Sequence, residues 1–374
     1  MNMKLLKFIR SEIVLFISAV LAVVSVFIIP PDREYAGYIN YKTICILFAL
    51  MAVMEGFKKT GVFSTVSGIL LERAKGIRTV VLILVYLCFF LSMFITNDVS
   101  LITFVPLSIA VLSMAGESVK KRLLVPVIVI QTVAANLGSM LFPMGNPQNL
   151  YLYGISGMKL WKFILLLLPY TGIAFAVITL WSVFICKNVS SEIKIPQTER
   201  NLSLRQINIY SGLFVICVLS VAGIVHYIVA MVFVVAVILI CDRKIFRTID
   251  YSLLLTFIFL FVFIGNMGRV DAVDNFLKGI TNGNEFIVSV LASQIISNVP
   301  CAILLSGFTD NYQALIAGTN IGGLGTLIAS MASLISFKNA AKECPEMKGR
   351  YFVYFTVSNI LLLLLFVLIY FIIG

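Results

Sequence analysis

Charged residues make up only 12% of this 374-residue chain, and histidine occurs once. A soluble domain is about a quarter charged and about half apolar, whereas this chain is 60% hydrophobic with a mean hydropathy of +1.05. The scarcity of charge excludes a soluble globular protein and leaves a polytopic membrane protein. The longest polar stretch, residues 187–206, has the length of a loop, so no separate soluble domain is expected. There is no nucleotide-binding loop, no cluster with metal-ligand spacing and no nucleophile beside a base, and the single histidine, His226, falls in a short turn. Enzymes are thereby disfavoured. Seven cysteines (45, 88, 186, 217, 241, 301 and 344) lack paired spacing, which argues against a zinc site or a disulfide framework. They read as small hydrophobes, and only Cys301 lies near polar residues of interest.

The net charge of +11 raises nucleic acid as a partner, but the basic residues sit in clusters that border apolar segments, so no nucleic acid is expected. Lys4, Lys7 and Arg10 precede an apolar run that ends in Pro30-Pro31-Asp32 without a small-residue cleavage site. That pattern predicts an uncleaved first helix with a cytoplasmic N-terminus.

What is present is a polar interruption inside an apolar run. Residues 134–149, AANLGSMLFPMGNPQN, turn rich in glycine, proline and amides where a helix should cross the bilayer. Backbone groups freed there cost several kcal/mol each in lipid, so the break must be covered by protein or line a polar cavity. An echo follows 184 residues later, where Ala135-Asn136-Leu137-Gly138 is answered by Thr319-Asn320-Ile321-Gly322, Met140 by Leu324 and Asn149 by Ser333.

The apolar segments are 13–29, 43–57, 79–95, 99–114, 123–141, 163–186, 208–225, 227–241, 251–265, 286–296, 299–308, 312–335 and 351–373. Several are shorter than the ~20 helical residues a crossing needs. Segments 79–95 and 99–114 are separated only by Thr96-Asn97-Asp98 and flanked by basic clusters, Arg73, Lys75 and Arg78 on one side and Lys120, Lys121 and Arg122 on the other. We read them as a re-entrant hairpin, and likewise 286–308 with its turn at Ser297-Asn298. The remaining nine segments then cross from an inside N-terminus to an outside C-terminus. This leaves 22 of the 28 basic residues inside, with only Arg33, Lys42, Lys159, Lys162, Arg269 and Lys278 outside, as the positive-inside rule requires. Counting either hairpin alone as one crossing spoils that split.

The expected fold is an all-α polytopic membrane protein of two inverted repeats, each with a re-entrant hairpin and a broken transmembrane helix, the architecture of secondary transporters. Residues 1–186 form the first repeat, with its hairpin at about 79–114 and its broken helix at about 122–156. Residues 187–226 are a cytoplasmic loop and linking helix. Residues 227–374 form the second repeat, with its hairpin at about 284–308 and its broken helix at about 312–335. Residues 60–76 and 268–281 are surface segments.

Asp98 is the one acid of 17 placed at a hairpin tip within the bilayer, and no lysine or arginine lies in either hairpin or break. Its charge calls for Na⁺ or H⁺, or else it caps the following helix, and the two roles are compatible. Asn97 and Asn298 offer amides at the tips, where helix N-termini attract anions. Carbonyls around Gly138, Gly145, Gly322 and Gly325 and the Thr96, Ser297 and Thr326 hydroxyls are oxygen ligands suited to a hard cation. Small residues also serve close helix packing, which is the alternative for Gly322-Gly323 and Ser330.

The stretches TNDVSLITFVPL, ANLGSMLFPMGNPQNL, SNVPCAILLSG and GTNIGGLGTLIASMASLI resemble the signatures of the ion transporter superfamily, in its citrate-transporter-like, SLC13-type permease branch. The resemblance covers nearly the whole chain. It implies a homodimer in which a scaffold holds a mobile domain that carries substrate elevator fashion. By this resemblance the tips Thr96-Asn97-Asp98 and Ser297-Asn298 are similar to paired Ser-Asn-Thr motifs that bind carboxylates and Na⁺, and residues 145–149 to a Gly-Thr-Pro-Pro-Asn break. The substrate candidates are Asn97, Asp98, Asn146, Pro147 and Asn149 with Asn298, Val299, Pro300, Thr326 and Ser330. The cation candidates are Thr96, Asn97, Asp98, Asn136, Gly138 and Gly145 with Ser297, Asn298, Asn320 and Gly322. The departures are Asp98 for a threonine, Val299-Pro300 at the second tip and Ala329-Ser330-Met331-Ala332 for the second break. An acid at the first tip is closer to the arsenite and Na⁺/H⁺ antiporter branches.

The expectation is a secondary transporter of a small anion, either a di- or tricarboxylate or an inorganic oxyanion, in a bacterial inner or plasma membrane. Its only cofactor is the coupling ion, Na⁺ or H⁺. The alternatives are a Na⁺/H⁺ or arsenite/H⁺ antiporter using Asp98, and a membrane scaffold or receptor, which leaves the polar breaks unexplained.

Overall fold

The computed structural model describes residues 12–187, 189 and 202–373, and these form helices and loops with no strand among them. Lys4, Lys7, Arg10, Lys194 and Arg200, counted above for sidedness, lie outside the described residues. The first half contains α1 (Ile13–Ile28), α2 (Tyr35–Tyr38), α3 (Tyr41–Thr60), α4 (Val62–Glu72), α5 (Ile77–Ile95), α6 (Asn97–Met114), α7 (Glu117–Ser139), a 3₁₀ turn (Pro143–Gly145), α8 (Pro147–Ser156) and α9 (Leu160–Ile185). After α10 (Leu204–Val221), the second half contains α11 (Tyr227–Asp242), α12 (Tyr251–Met267), α13 (Asp271–Thr281), α14 (Glu285–Ile296), α15 (Asn298–Ser306), α16 (Tyr312–Ile321), α17 (Met331–Glu343) and α18 (Lys348–Ile373).

Several helices start where a side-chain oxygen takes an N–H group that the helix cannot satisfy itself. Asn40 accepts from the Thr43 N–H, Asp250 from that of Leu253, and Asn311 from that of Ala314. The short helix α13 leaves α12 at 104°, as a segment lying across the end of a bundle would.

Six helices among the described residues are long and apolar enough to cross a membrane. They divide by environment. In α7 94% of the apolar window is buried, whereas in α18 only 17% is, so α7 is the hub and α18 belongs to the rim. Phe27, Phe184, Ile240 and Ile372 project from α1, α9, α11 and α18 with more than half their surface exposed. An apolar surface of that extent is at home in hydrocarbon, and the chain is a polytopic integral membrane protein.

α1 packs on α12 and α3 on α11, while α5 and α6 wrap α7 and both α14 and α15 pack on α16. Around the tips and breaks, too, the halves meet, α6 packing on α17 and α15 on α8. Contacts at the ends of the bundle keep to the two sets of basic residues separated above. At one end Lys59 pairs with Asp242, Arg122 donates to the Lys187 carbonyl at 2.8 Å, and Arg350 donates to the Lys121 carbonyl. At the other end Arg269 pairs with Asp32 at 2.7 Å and Glu34 at 3.5 Å. The Arg269 guanidinium holds the Asp32 carboxyl below the usual carboxylate range, and hydrogen bonds to Tyr38 and Asp32 raise the pKa of Arg269.

The two helix pairs expected as hairpins differ in length. α14 and α15, at 12 and 9 residues, are too short to cross. α5 and α6, at 19 and 18 residues, are each long enough, because α6 starts at Asn97 and is longer than the segment 99–114 suggests. Length therefore does not distinguish a hairpin from two crossings in the first half. At the turn between them Asn97 is only 5% exposed and is hydrogen-bonded to α7, so the turn is packed against protein.

Candidate functional site

Each tip is a single residue between two helices. Thr96 joins α5 to α6 at φ 69°, ψ 151°, and Ser297 joins α14 to α15 at φ 72°, ψ 153°. Among the described residues these are the only non-glycine residues with positive φ. That region is largely reserved for glycine and costs a side chain roughly 1–3 kcal/mol, so the surrounding structure must hold it. The same brace appears behind each tip. Ser100 Oγ donates to the Cys88 carbonyl and Cys301 Sγ to the Ser289 carbonyl, both at 3.4 Å. In each case the donor is four residues past the tip. Cys301, expected as a small hydrophobe, is fully buried and in addition serves as a donor where the first half has a hydroxyl.

In the first break, side chains and turns take over the groups the helix abandons. The Met140 carbonyl accepts from Asn149 Nδ2 at 3.0 Å, the Gly138 carbonyl from the Leu141 N–H at 3.2 Å, and the Phe142 carbonyl from the Gly145 N–H at 3.1 Å. Asn146 caps α8 by accepting the Asn149 N–H at 3.0 Å, and Pro147 occupies the first helical position, where its missing N–H is not needed. A Cβ on Gly145 would lie 2.0 Å from the Ser139 carbonyl oxygen, and one on Gly138 2.2 Å from that of Phe89. Both close approaches are to backbone, so these two positions require glycine.

The two breaks are joined by a buried amide and hydroxyl network. Asn136, near the end of α7, accepts from Ser330 Oγ at 3.0 Å and donates to Ser333 Oγ at 3.5 Å. Asn320, near the end of α16, accepts from Asn146 Nδ2 at 3.2 Å and donates to Asn149 Oδ1 at 2.6 Å. Ser330 is the N-cap residue of α17 and Asn146 that of α8, and Ser333 and Asn149 each lie three residues further on. Each asparagine thus grips the N-terminus of the helix that follows the other break. The first tip joins this network through Asn97 Nδ2, which donates to Asn136 Oδ1 at 3.1 Å. The second tip joins through the Asn298 N–H, which donates to the Ala329 carbonyl at 2.9 Å.

Asp98 lies in the first turn of α6, where the helix N-terminus favours negative charge. Its Oδ1 is buried and has no hydrogen-bond partner among the described residues. An unpartnered buried carboxylate oxygen is costly by several kcal/mol, and either a cation or a proton relieves it. A cavity of about 190 Å³ reaches the second tip, with Ser297, Val299, Pro300 and Met331 in its wall and Glu12 and Lys338 toward the Lys59 end of the bundle. A larger cavity of about 670 Å³ lies by Glu285 and Ser306 at the far ends of α14 and α15 and touches neither tip.

Of the residues singled out in the sequence, Thr96, Asn97, Asp98, Asn136, Gly138, Gly145, Asn146, Pro147 and Asn149 surround the first tip and break, with Asn320 and Ser330 bonded to them from the second half. Ser297, Asn298, Val299 and Pro300 surround the second tip. Thr326 and Gly322 lie apart from the network and both bond to Gln294, a residue not singled out above. The available signal was a lone glutamine three residues before a tip, in the largely apolar α14.

A bundle organised around two interrupted helices and two buried tips defines a class, that of membrane transport proteins. Within that class, the sequence matches the citrate transporter family (CitMHS) over residues 3–313, and the chain belongs to it. It is a family of transporters rather than of enzymes. An uncharacterized transporter of Methanocaldococcus jannaschii is 34% identical over 324 residues, 87% of this chain and 88% of that protein. The inner membrane protein YbiR of Escherichia coli is 28% identical over 315 residues, 82% of each chain. The silicon efflux transporter LSI3 of Oryza sativa subsp. japonica is 31% identical over 142 residues, 38% of this chain and 28% of that protein.

Proposed function

We propose that this chain is a secondary active transporter that moves a small anion, either a di- or tricarboxylate or an inorganic oxyanion, coupled to Na⁺ or H⁺. The observation that carries the reading is the pair of strained tips, Thr96 and Ser297, each followed at once by an asparagine that opens a helix. Helix N-termini present partial positive charge and free N–H groups, which receive an anion without a basic side chain. Substrate binds between the tips at Asn97, Asn298, Val299 and Pro300, with Asn146, Asn149 and Ser330 behind them. The coupling ion binds at Asp98, where it screens the carboxylate from the anion.

The reciprocal grip of Asn136 and Asn320 supports two inverted repeats, since a pseudo-twofold axis exchanges one set of bonds for the other. Both hairpins and both breaks then move as one body against a scaffold that includes α1, α3, α11 and α12, as an elevator within a homodimer. The N-terminus is cytoplasmic and the C-terminus outside. The family is named for citrate and the rice relative for silicon, so carboxylates and inorganic species both belong in the test.

The test is uptake of labelled citrate, succinate, sulfate and arsenite into proteoliposomes under imposed Na⁺ and pH gradients. The expected result is accumulation of at least one anion under one of the gradients. The unpartnered Asp98 Oδ1 favours one second reading, a Na⁺/H⁺ or arsenite/H⁺ antiporter. Failure to take up any of the four anions, together with Na⁺-driven proton movement that disappears in Asp98→Asn, would replace the leading reading with Na⁺/H⁺ exchange. Proton-linked arsenite movement with the same loss would replace it with arsenite/H⁺ exchange.

A further inference from the structure

Gln294 lies three residues before the second tip, and its side chain is committed to the second break. Its Nε2 donates to the Gly322 carbonyl at 2.9 Å and the Leu324 carbonyl at 3.1 Å, with the Val290 carbonyl also at 3.1 Å. Its Oε1 accepts the Thr326 N–H at 2.9 Å, and Thr326 Oγ1 donates to the Gln294 carbonyl at 3.0 Å. A primary amide has two N–H groups, so three carbonyl oxygens surround a nitrogen with protons for two. Backbone oxygens converge in this way on a hard cation. The loop closes tightly over this side chain, since Gly325 sits at φ +101° and a Cβ there would lie 2.2 Å from Gln294 Oε1.

The first half has no such plug. The residue three before the Thr96 tip is Met93, whose side chain has no N–H to donate. Gly138 and Met140, which answer Gly322 and Leu324 in the sequence, have their carbonyls engaged by the Leu141 N–H and Asn149 Nδ2, both from the break itself. The only acid at either tip, Asp98, is also in the first half.

We propose that Gln294 is a built-in substitute for a cation in the second break, so that ion binding is confined to the first half and the chain binds at most one coupling ion. The inference rests on the transport reading only in calling that ion a coupling ion.

The test is the melting temperature of the purified full chain in detergent at alkaline pH, with NaCl replaced stepwise by choline chloride at constant ionic strength. Gln294→Glu keeps the length of the side chain and an acceptor for the Thr326 N–H, but sets an oxygen against the Gly322 and Leu324 carbonyls. A proton or a cation among those oxygens relieves the contact, and alkaline pH disfavours the proton. The variant is expected to melt below the wild type in choline. Na⁺ at a hundredfold excess over its Kd is expected to raise its melting temperature by about 3 °C more than that of the wild type. Parallel wild-type and variant curves would overturn the proposal. Should Gln294→Glu fail to fold, equilibrium binding of radiolabelled Na⁺ to the wild type decides: one ion or none per chain supports the proposal, and two overturn it. No substrate enters either measurement, so absence of anion uptake would refute the transport reading and leave this one standing.

Discussion

The first tip and break and their counterparts in the second half share a geometry and differ in chemistry. Thr96 and Ser297 adopt the same strained backbone, and Ser100 and Cys301 brace the two tips alike. Asn136 and Asn320 reach across to the opposite helix N-terminus in the same way. Against that frame, the first half has Asp98 where the second has Val299, and Asn146 and Asn149 where the second has Ser330 and Ser333. It has Met93 where the second has Gln294. The shared features set where backbone ends and side chains stand, and the differing ones set what those groups bind. A symmetric frame with one acid on one side is suited to a single coupling ion beside a substrate held by both tips.

The comparison breaks most readily at the glycines. Gly145→Ala forces a Cβ against the Ser139 backbone, and we expect a loss of at least about 3 kcal/mol or no folded protein, because the obstacle cannot rotate away. Gly323→Ala meets the Asn298 side-chain amide at 2.9 Å and the Asn320 carbonyl oxygen at 3.2 Å, less severe approaches, and is expected to cost about 1–2 kcal/mol. Melting in detergent checks both, and equal effects would mean that the first break is no tighter than the second.

Asp98→Asn is expected to reduce gradient-driven uptake about tenfold to a hundredfold, the effect of losing one charge-assisted contact. Val299→Ala at the equivalent place should leave uptake within about twofold, since it removes only apolar contact. Uptake rates in proteoliposomes measure both.

Asn320→Ala strands Asn146 and Asn149, and Asn136→Ala strands Ser330 and Asn97. Each should lower stability by about 1–3 kcal/mol, the cost of leaving buried polar groups unpaired. Only Asn136→Ala also frees a tip side chain, so it should lose more uptake per unit of stability lost. Similar uptake in the two variants would argue that the network is structural alone.

The smallest effect lies outside the comparison, at the Arg269 end of the bundle. The pKa of Asp32 is lowered in the folded chain by Arg269, so its contribution is present above the unfolded carboxylate pKa and fades as pH falls through the folded value. The melting difference between wild type and Asp32→Asn should therefore be small at neutral pH, begin to shrink near about pH 4 and vanish once the pH is below the lowered folded value. Because Asp32 is exposed, solvent screens the pair. A difference that grew on acidification would contradict the assignment.

The sequence made the tips and breaks visible because glycine, proline, asparagine and an acid stand out in apolar runs where lipid tolerates none of them uncovered. The echo of Asn136 in Asn320 likewise needed only alignment of the two stretches. What those asparagines bond to was not visible, since their partners Ser330 and Asn146 lie 194 and 174 residues away. Gln294 was missed for a similar reason: a glutamine in an apolar helix reads as a weak polar blemish until the chain brings the Gly322 and Leu324 carbonyls against it, 28 and 30 residues on. The extra length of α6 escaped because Asn97 and Asp98, polar residues that read as turn, turn out to be its first helical residues.

The most direct test of the central claim, that the first tip alone carries the coupling ion, is to move the acid across the pseudo-symmetry. Uptake under imposed Na⁺ and pH gradients would be measured for the wild type, for Asp98→Val, and for Asp98→Val combined with Val299→Asp. The account predicts gradient-driven uptake in the first and its loss in both others, because Gln294 still fills the second break. Gradient-driven uptake persisting in Asp98→Val, or returning in the double variant, would contradict it.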